Sequence, residues 1–206
     1  MPPPPPPPPP PPSSQSPVEE TVMSARVDDN LSAGVGLALF YTSTKDSDAS
    51  SWSEVLFDER AVAFGPTLLL YHKPQQDLTL FVRHMVFYLD LTAAELVTAN
   101  VLYESFLRAN QRVTASLSCV RLLMTACISL AIKTLTDTPL TCKLIATIVD
   151  SSGFLLDKKR LGRMELVILK KLDYQLIHPS ELYHCYANEL TKLYDPLASP
   201  LHLGMR

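Results

Sequence analysis

Apolar residues recur three and four positions apart from residue 77 onward, and no alternating run bounded by hairpin turns interrupts them. This period is typical of amphipathic helices packed against a common core. It predicts an all-α fold for the larger part of the chain. The helices expected are 77–89, one begun by Thr92, one from about 114 to 133, a short one between Pro139 and Gly153, one opened by Asp157 and one begun by Pro179.

The start of the second helix is marked by the string "DLTAAELVTANVLYESFLRAN", 90–110. Thr92 is a good N-cap residue, and Glu95 stands three positions later, where its carboxylate can reach back to the cap. Leu91 and Leu96 are placed to staple the chain as it enters the helix. We therefore expect the helix to begin at Thr92.

The segment 114–133 is apolar on all sides, which predicts a buried central helix surrounded by the others. Residues 122–132 carry no charge, and Lys133 follows them directly. A lysine in this place is either the last-turn cation that satisfies a helix C-terminus, or a group held there for a partner.

The chain ahead of this pattern is different in composition. Residues 2–12 are all proline, and we predict that 1–50 form a disordered, acidic, proline- and serine-rich tail. We expect a short amphipathic helix and linker at 51–76, one helical domain at 77–190 and a C-terminal tail at 191–206. The proline run favours an extended left-handed helix that profilin, SH3 or WW domains bind, or it is a spacer.

Charge and cysteine spacing narrow the class of protein. The net charge is -3, and residues 1–60 hold nine acidic against three basic residues, so we expect neither nucleic acid nor membrane as a partner. The stretch 122–132 is shorter than the ~20 residues of a membrane span. The four cysteines show no metal-binding or redox spacing, which suggests a reducing compartment. We expect a soluble protein of the cytoplasm, the nucleus or both.

Three strings together resemble a known family: "LAIK", 130–133, "RMELVILKKLDYQL", 163–176, and "HPSELY", 178–183. They are similar to the cyclin box, and most like the single-box, phosphate-pathway (P/U) type of cyclin. The resemblance implies a five-helix cyclin box over 77–190, to which the short amphipathic helix within 51–76 adds an extra N-terminal helix. Because sixteen residues follow 190, a second five-helix repeat is not expected.

The resemblance also implies a kinase-binding site at Lys133, Glu165 and Leu122. The lysine and the glutamate match the cyclin pair that reaches backbone groups beside the C-helix of the kinase. An ammonium and a carboxylate offer three donors and up to four acceptor sites for such groups. The alternatives are that Lys133 only caps its helix, and that Glu165 is an exposed carboxylate paired with Arg163 or Lys170.

A second pair, Arg83 and Glu104, matches the cyclin arginine and acid that form a buried ion pair bracing the box. The string "YESFL", 103–107, departs from the family by placing Glu104 where an aspartate stands and Ser105 where an arginine stands. Two unrelated surface charges are the alternative. The string "VRHMVF", 82–87, replaces the hydrophobic substrate-docking motif of some cyclins, so we do not expect that route of recruitment.

No nucleophile lies in a recognisable elbow, and Gly34 with Gly36 is only a fragment of a phosphate-binding loop. We therefore expect no enzyme activity, no cofactor and no metal. The leading interpretation is a regulatory subunit of a cyclin-dependent protein kinase in the cell cycle or nutrient signalling. The alternative is a cyclin-fold adaptor that acts in transcription without a kinase.

Overall fold

The computed structural model describes residues 27–44, 51–52, 57, 73–110, 114–136, 144–147, 156–177 and 179–193. The fold is all-α, as the hydrophobic period predicts. Residues 144–147 are also helical, within the segment expected to form the short helix. The longer helices are α1 (Asp29–Thr42), α2 (Pro74–Leu89), α3 (Ala93–Ala109), α4 (Val120–Leu135), α5 (Lys158–Lys171) and α6 (Ser180–Leu193).

Three very short strands accompany the helices: β1 (Ser43–Thr44), β2 (Ser51–Trp52) and β3 (Thr114–Ser116). They pair in parallel in the order β1-β3-β2. The short helix expected within 51–76 therefore does not include Ser51 and Trp52, because they pair with β3. Between residues 53 and 72 only Phe57 is described, and its side chain is buried in the core.

Helix α4 lies at the centre of the fold, where α3 and α5 pack against it. Every residue from 120 to 132 is buried, as the lack of a polar face predicts. The helix begins at Val120, later than the expected start near 114, because Thr114–Ser116 form β3. A turn then leads into the helix, closed by the hydrogen bond from the Cys119 N–H to the Ser116 carbonyl at 3.0 Å.

Helix α1 corrects the prediction that residues 1–50 are a disordered tail. The nine residues from Leu31 to Leu39 are all buried, and Asp28 caps the helix by accepting a hydrogen bond from the Leu31 N–H at 2.6 Å. The helix packs against α2 and α6. It is not the extra helix expected within 51–76, and the rest of the predicted tail, at 1–26 and 45–50, lies beyond the described residues.

Two glycines allow α1 to approach its neighbours closely. A Cβ added to Gly34 would lie 1.8 Å from the backbone oxygen of Leu190 in α6. A Cβ added to Gly36 would lie 2.6 Å from the Cα of Thr79 in α2. Gly34 and Gly36 are therefore contact positions between three helices.

Two of the predicted helix starts are confirmed in detail. Thr92 caps α3 in a capping box, with its Oγ1 accepting from the Glu95 N–H at 3.2 Å and its N–H donating to Glu95 Oε2 at 2.7 Å. Asp157 caps α5 by accepting from the Arg160 N–H at 2.7 Å. This hydrogen bond holds the pKa of Asp157 below its usual value.

Candidate functional site

Lys133 and Glu165 form an ion pair between α4 and α5. Lys133 Nζ lies 2.6 Å from both Oε1 and Oε2 of Glu165. The Glu165 side chain is only 10% exposed, whereas that of Lys133 is 30% exposed. The structure thus brings together the two charged residues that the sequence predicts as a site, and it excludes the interpretation of Glu165 as an exposed carboxylate.

Ser129 is a third member of this cluster. Its hydroxyl donates a hydrogen bond to Glu165 Oε1, and its side chain is completely buried. Ser129 and Lys133 are four residues apart on α4, so both project towards α5 from one face. Ser129 is not among the site residues predicted from the sequence, although its i, i+4 relation to Lys133 is a signal that the sequence contains.

The C-terminal end of α4 is fixed beside the start of α3. Thr136, the residue after the helix, donates from Oγ1 to Glu95 Oε1 at 2.9 Å. The other oxygen of Glu95 accepts from Thr92 in the capping box, so one carboxylate ties two helix ends together. Lys133 therefore stands on the last turn of a helix whose end is anchored.

Leu122 does not belong to an exposed binding site. Its side chain is completely buried near the start of α4 and contributes to the core. Because α4 is covered on every side there, this residue supports the fold and the prediction that it contacts a kinase is wrong for this structure.

The predicted ion pair between Arg83 and Glu104 is not formed. Arg83 Nε lies 3.6 Å from Oδ1 of Asp29, the first residue of α1, and its side chain is 39% exposed. Glu104 binds other groups instead. The physical reason is α1, which packs on α2 and supplies an acid for Arg83 that the sequence prediction did not place there.

Glu104 braces α3 against α6. Its Oε2 accepts hydrogen bonds from the Tyr186 hydroxyl at 2.9 Å and from Arg108 Nη2 at 3.1 Å, while Asn100 Nδ2 donates to Oε1 at 3.2 Å. Burial and the hydrogen bond to this carboxylate raise the pKa of Tyr186. Glu104 is thus structural, as predicted, but its partners are different.

An apolar pocket of about 110 Å³ opens at the C-terminal end of α4. It lies between α3, the end of α4, the segment after α5 and the start of α6. Thr134 and Leu135, the two residues that follow Lys133, form part of its wall. Ile177 at its edge is 85% exposed. The other large side chains around it are Val97, Val101, Leu176 and Tyr183.

Two further kinds of site are missing from the part of the chain that the structure describes. No group of three or more histidine, cysteine or acidic residues there could hold a metal ion. Within the same residues, no helix has both the length and the apolar character needed to cross a membrane.

Comparison with known proteins gives one match. Residues 69–177 match the family model described as "Cyclin, N-terminal domain". No curated protein and no solved structure matches the chain. The matched range contains α2 to α5, and with them both Lys133 and Glu165.

Proposed function

Because the chain belongs to the cyclin family, we propose that it is the regulatory subunit of a cyclin-dependent protein kinase and controls the activity or targeting of that kinase. The subgroup we propose is the single-box, phosphate-pathway type, on the strings around Lys133, Glu165 and Pro179. The protein is a cyclin-type regulator of all-α fold. To this family assignment the proposal adds the binding of a kinase.

The observation that carries the proposal is the position of the Lys133–Glu165 pair. A charged pair in the interior of a fold would be fully covered, but the Lys133 side chain is 30% exposed, and the next two residues, Thr134 and Leu135, line an apolar pocket. Partner-binding surfaces combine these two features, because apolar contact supplies affinity and charge fixes the register. The pair is therefore better suited to an interface than to the core.

In the proposed complex, Lys133 donates to a backbone carbonyl of the kinase, next to the helix that controls its active site. Glu165 orients the ammonium, and its carboxylate, whose side chain is 10% exposed, can accept a further hydrogen bond from a backbone N–H of the partner. An apolar side chain of the partner fills the pocket beyond Thr134 and Leu135. The subunit acts by favouring one arrangement of the kinase, and a shift from 1% to 99% active needs about 5.5 kcal/mol of differential binding.

The test is affinity capture of the full chain followed by kinase assays with the captured protein. Recovery of a protein kinase whose phosphorylating activity changes with added chain supports the proposal. Recovery of polymerase or promoter factors without a kinase contradicts it, and would favour the transcriptional adaptor.

Three variants locate the binding site. Lys133→Ala should weaken kinase binding tenfold to hundredfold, because a desolvated charge-assisted hydrogen bond contributes about 1.5 to 3 kcal/mol. The exchange Lys133→Glu with Glu165→Lys can keep the internal pair but reverses the charge presented to the kinase, so it should bind still more weakly. Lys192→Ala is the matched control, since Lys192 also pairs with a glutamate, Glu189, but 71% exposed on α6. An exchanged protein that binds as tightly as the parent would refute this site.

A further inference from the structure

Helix α2 presents an aromatic surface to solvent that the proposed kinase site does not use. Phe87 is 78% exposed, Tyr88 is 56% exposed and Leu80 is 61% exposed. Leu80, His84 and Phe87 are four and three residues apart, so they lie on one side of the helix, with Tyr88 next to them. We call these four residues the aromatic stripe.

The rings of the stripe are arranged against one another. The His84 and Tyr88 ring centroids are 4.4 Å apart, and those of Phe87 and Tyr88 are 5.1 Å apart in an edge-to-face arrangement. This leaves a ridged apolar surface beside a phenolic hydroxyl. Large aromatic side chains with this exposure are uncommon on a surface that stays in water, so the stripe is a candidate for contact.

The chain itself contains a segment with the matching chemistry. Residues 2–12 are eleven consecutive prolines. A polyproline helix has three residues per turn, about 3.1 Å of rise per residue and no internal hydrogen bonds, and it docks on surfaces lined with aromatic rings. Its carbonyls are free to accept from a tyrosine hydroxyl such as that of Tyr88. One polyproline turn, about 9 Å, is close to the ~10 Å between Leu80 and Phe87 along α2.

The path of the chain places the two close together. Asp29 at the start of α1 lies 3.6 Å from Arg83, which precedes His84 on α2. The chain therefore enters α1 beside the stripe, and Phe87 is only about 6 Å further along α2 than Arg83. Residues 13–26 connect this point to the prolines, and fourteen residues have a root-mean-square span of about 20 Å when flexible.

We propose that the proline run 2–12 docks on the aromatic stripe of its own chain. A tether of this length gives an effective concentration on the order of 1 mM, so a contact too weak to persist between separate molecules is populated within one. Docking also covers the run, so that an outside proline-recognition domain must compete with α2 for it. The nearest alternative is that the proline run of one copy docks on the aromatic stripe of a second copy.

The experiment compares the full chain with a variant that lacks residues 2–12, by NMR spectra of backbone amides and aromatic rings. The deletion should shift the signals of residues 80–88. An eleven-residue proline peptide added to the deleted protein should reverse these shifts, and it should bind the full chain several-fold more weakly because the surface is occupied. Unchanged signals at 80–88 on deletion would overturn the proposal.

Two side-chain variants and one size measurement complete the test. The double variant Phe87→Ala, Tyr88→Ala should abolish peptide binding, and it should fold because both side chains are largely exposed. Tyr41→Ala is the control, since Tyr41 is 69% exposed near the opposite end of α1, and it should change nothing. Peptide that binds the double variant equally well would contradict the stripe. A dimer in light scattering whose formation needs 2–12 would overturn docking within one chain and assign the run to a second copy.

Discussion

The ion pair between Lys133 and Glu165 predicts an asymmetric response to the loss of either charge. Lys133→Met keeps an apolar stem but leaves the Glu165 carboxylate, which is only 10% exposed, without its cation. Removing one partner of a buried pair costs about 3 to 5 kcal/mol, and we expect about 2 to 3 kcal/mol here because water reaches the lysine side of the pair.

Glu165→Gln should cost less, about 1 kcal/mol. The amide keeps the volume of the side chain and can still accept from Ser129. The ammonium left behind is 30% exposed on a flexible stem and can turn to water. The double variant should cost less than the sum of the two, with a coupling of about 1 to 2 kcal/mol.

Urea unfolding of the four proteins measures these values, provided that the dependence of the unfolding free energy on urea is unchanged. The matched pair is Lys192→Met and Glu189→Gln, whose side chains are 71% and 66% exposed, so each should change stability by less than about 0.5 kcal/mol. The reasoning fails if Glu165→Gln costs more than Lys133→Met, or if the coupling is zero.

Three other outcomes follow from the packing of the helices. Gly34→Ala should strongly destabilise the protein, because the new Cβ would clash with the backbone of α6. Gly162→Ala has open space around the new Cβ and should raise stability by about 0.5 to 1 kcal/mol. Equal melting temperatures of the two variants would contradict this. Deletion of residues 2–26 should leave the helical circular dichroism of the rest intact. Deletion of 2–50 should lower the melting temperature sharply, because it removes α1. If the two deleted proteins are equally stable, α1 is dispensable for the fold. Thr92→Ala should cost about 1 kcal/mol through the lost capping box, and an unchanged urea midpoint would refute that.

The sequence was sufficient where local chemistry decides the structure. The cap at Thr92 and the cap at Asp157 each depend on residues three positions apart, which a reader of the sequence can see. The burial of α4 follows from its lack of a polar face. The Lys133–Glu165 pair was found through the family resemblance, since nothing in the spacing of two residues 32 positions apart indicates contact.

The errors arose where a neighbour in space decides the outcome. The prediction of a disordered tail over 1–50 failed because the role of Gly34 and Gly36, close approach to α6 and α2, depends on helices more than a hundred and more than forty positions away. The same helix then changed the partner of Arg83, since Asp29 is within reach and Glu104 faces α6 instead. One missed element thus accounts for two wrong predictions.

The helix contacts around α1 and those around the Lys133–Glu165 pair involve different helices. A change can therefore alter the stability of the fold without altering the proposed kinase site. Helix α1 packs on α2 and α6, whereas the Lys133–Glu165 pair joins α4 to α5 and the anchor at Thr136 joins α4 to α3. A change in α1 therefore acts first on α2 and α6, and reaches the pair only through shared core packing. The aromatic stripe lies on α2, so docking of the proline run should also act first on α2 and the helices packed against it. If the kinase binds at Lys133, loss of the run should leave affinity for the kinase within a few-fold, because the described residues of that site all lie outside α2.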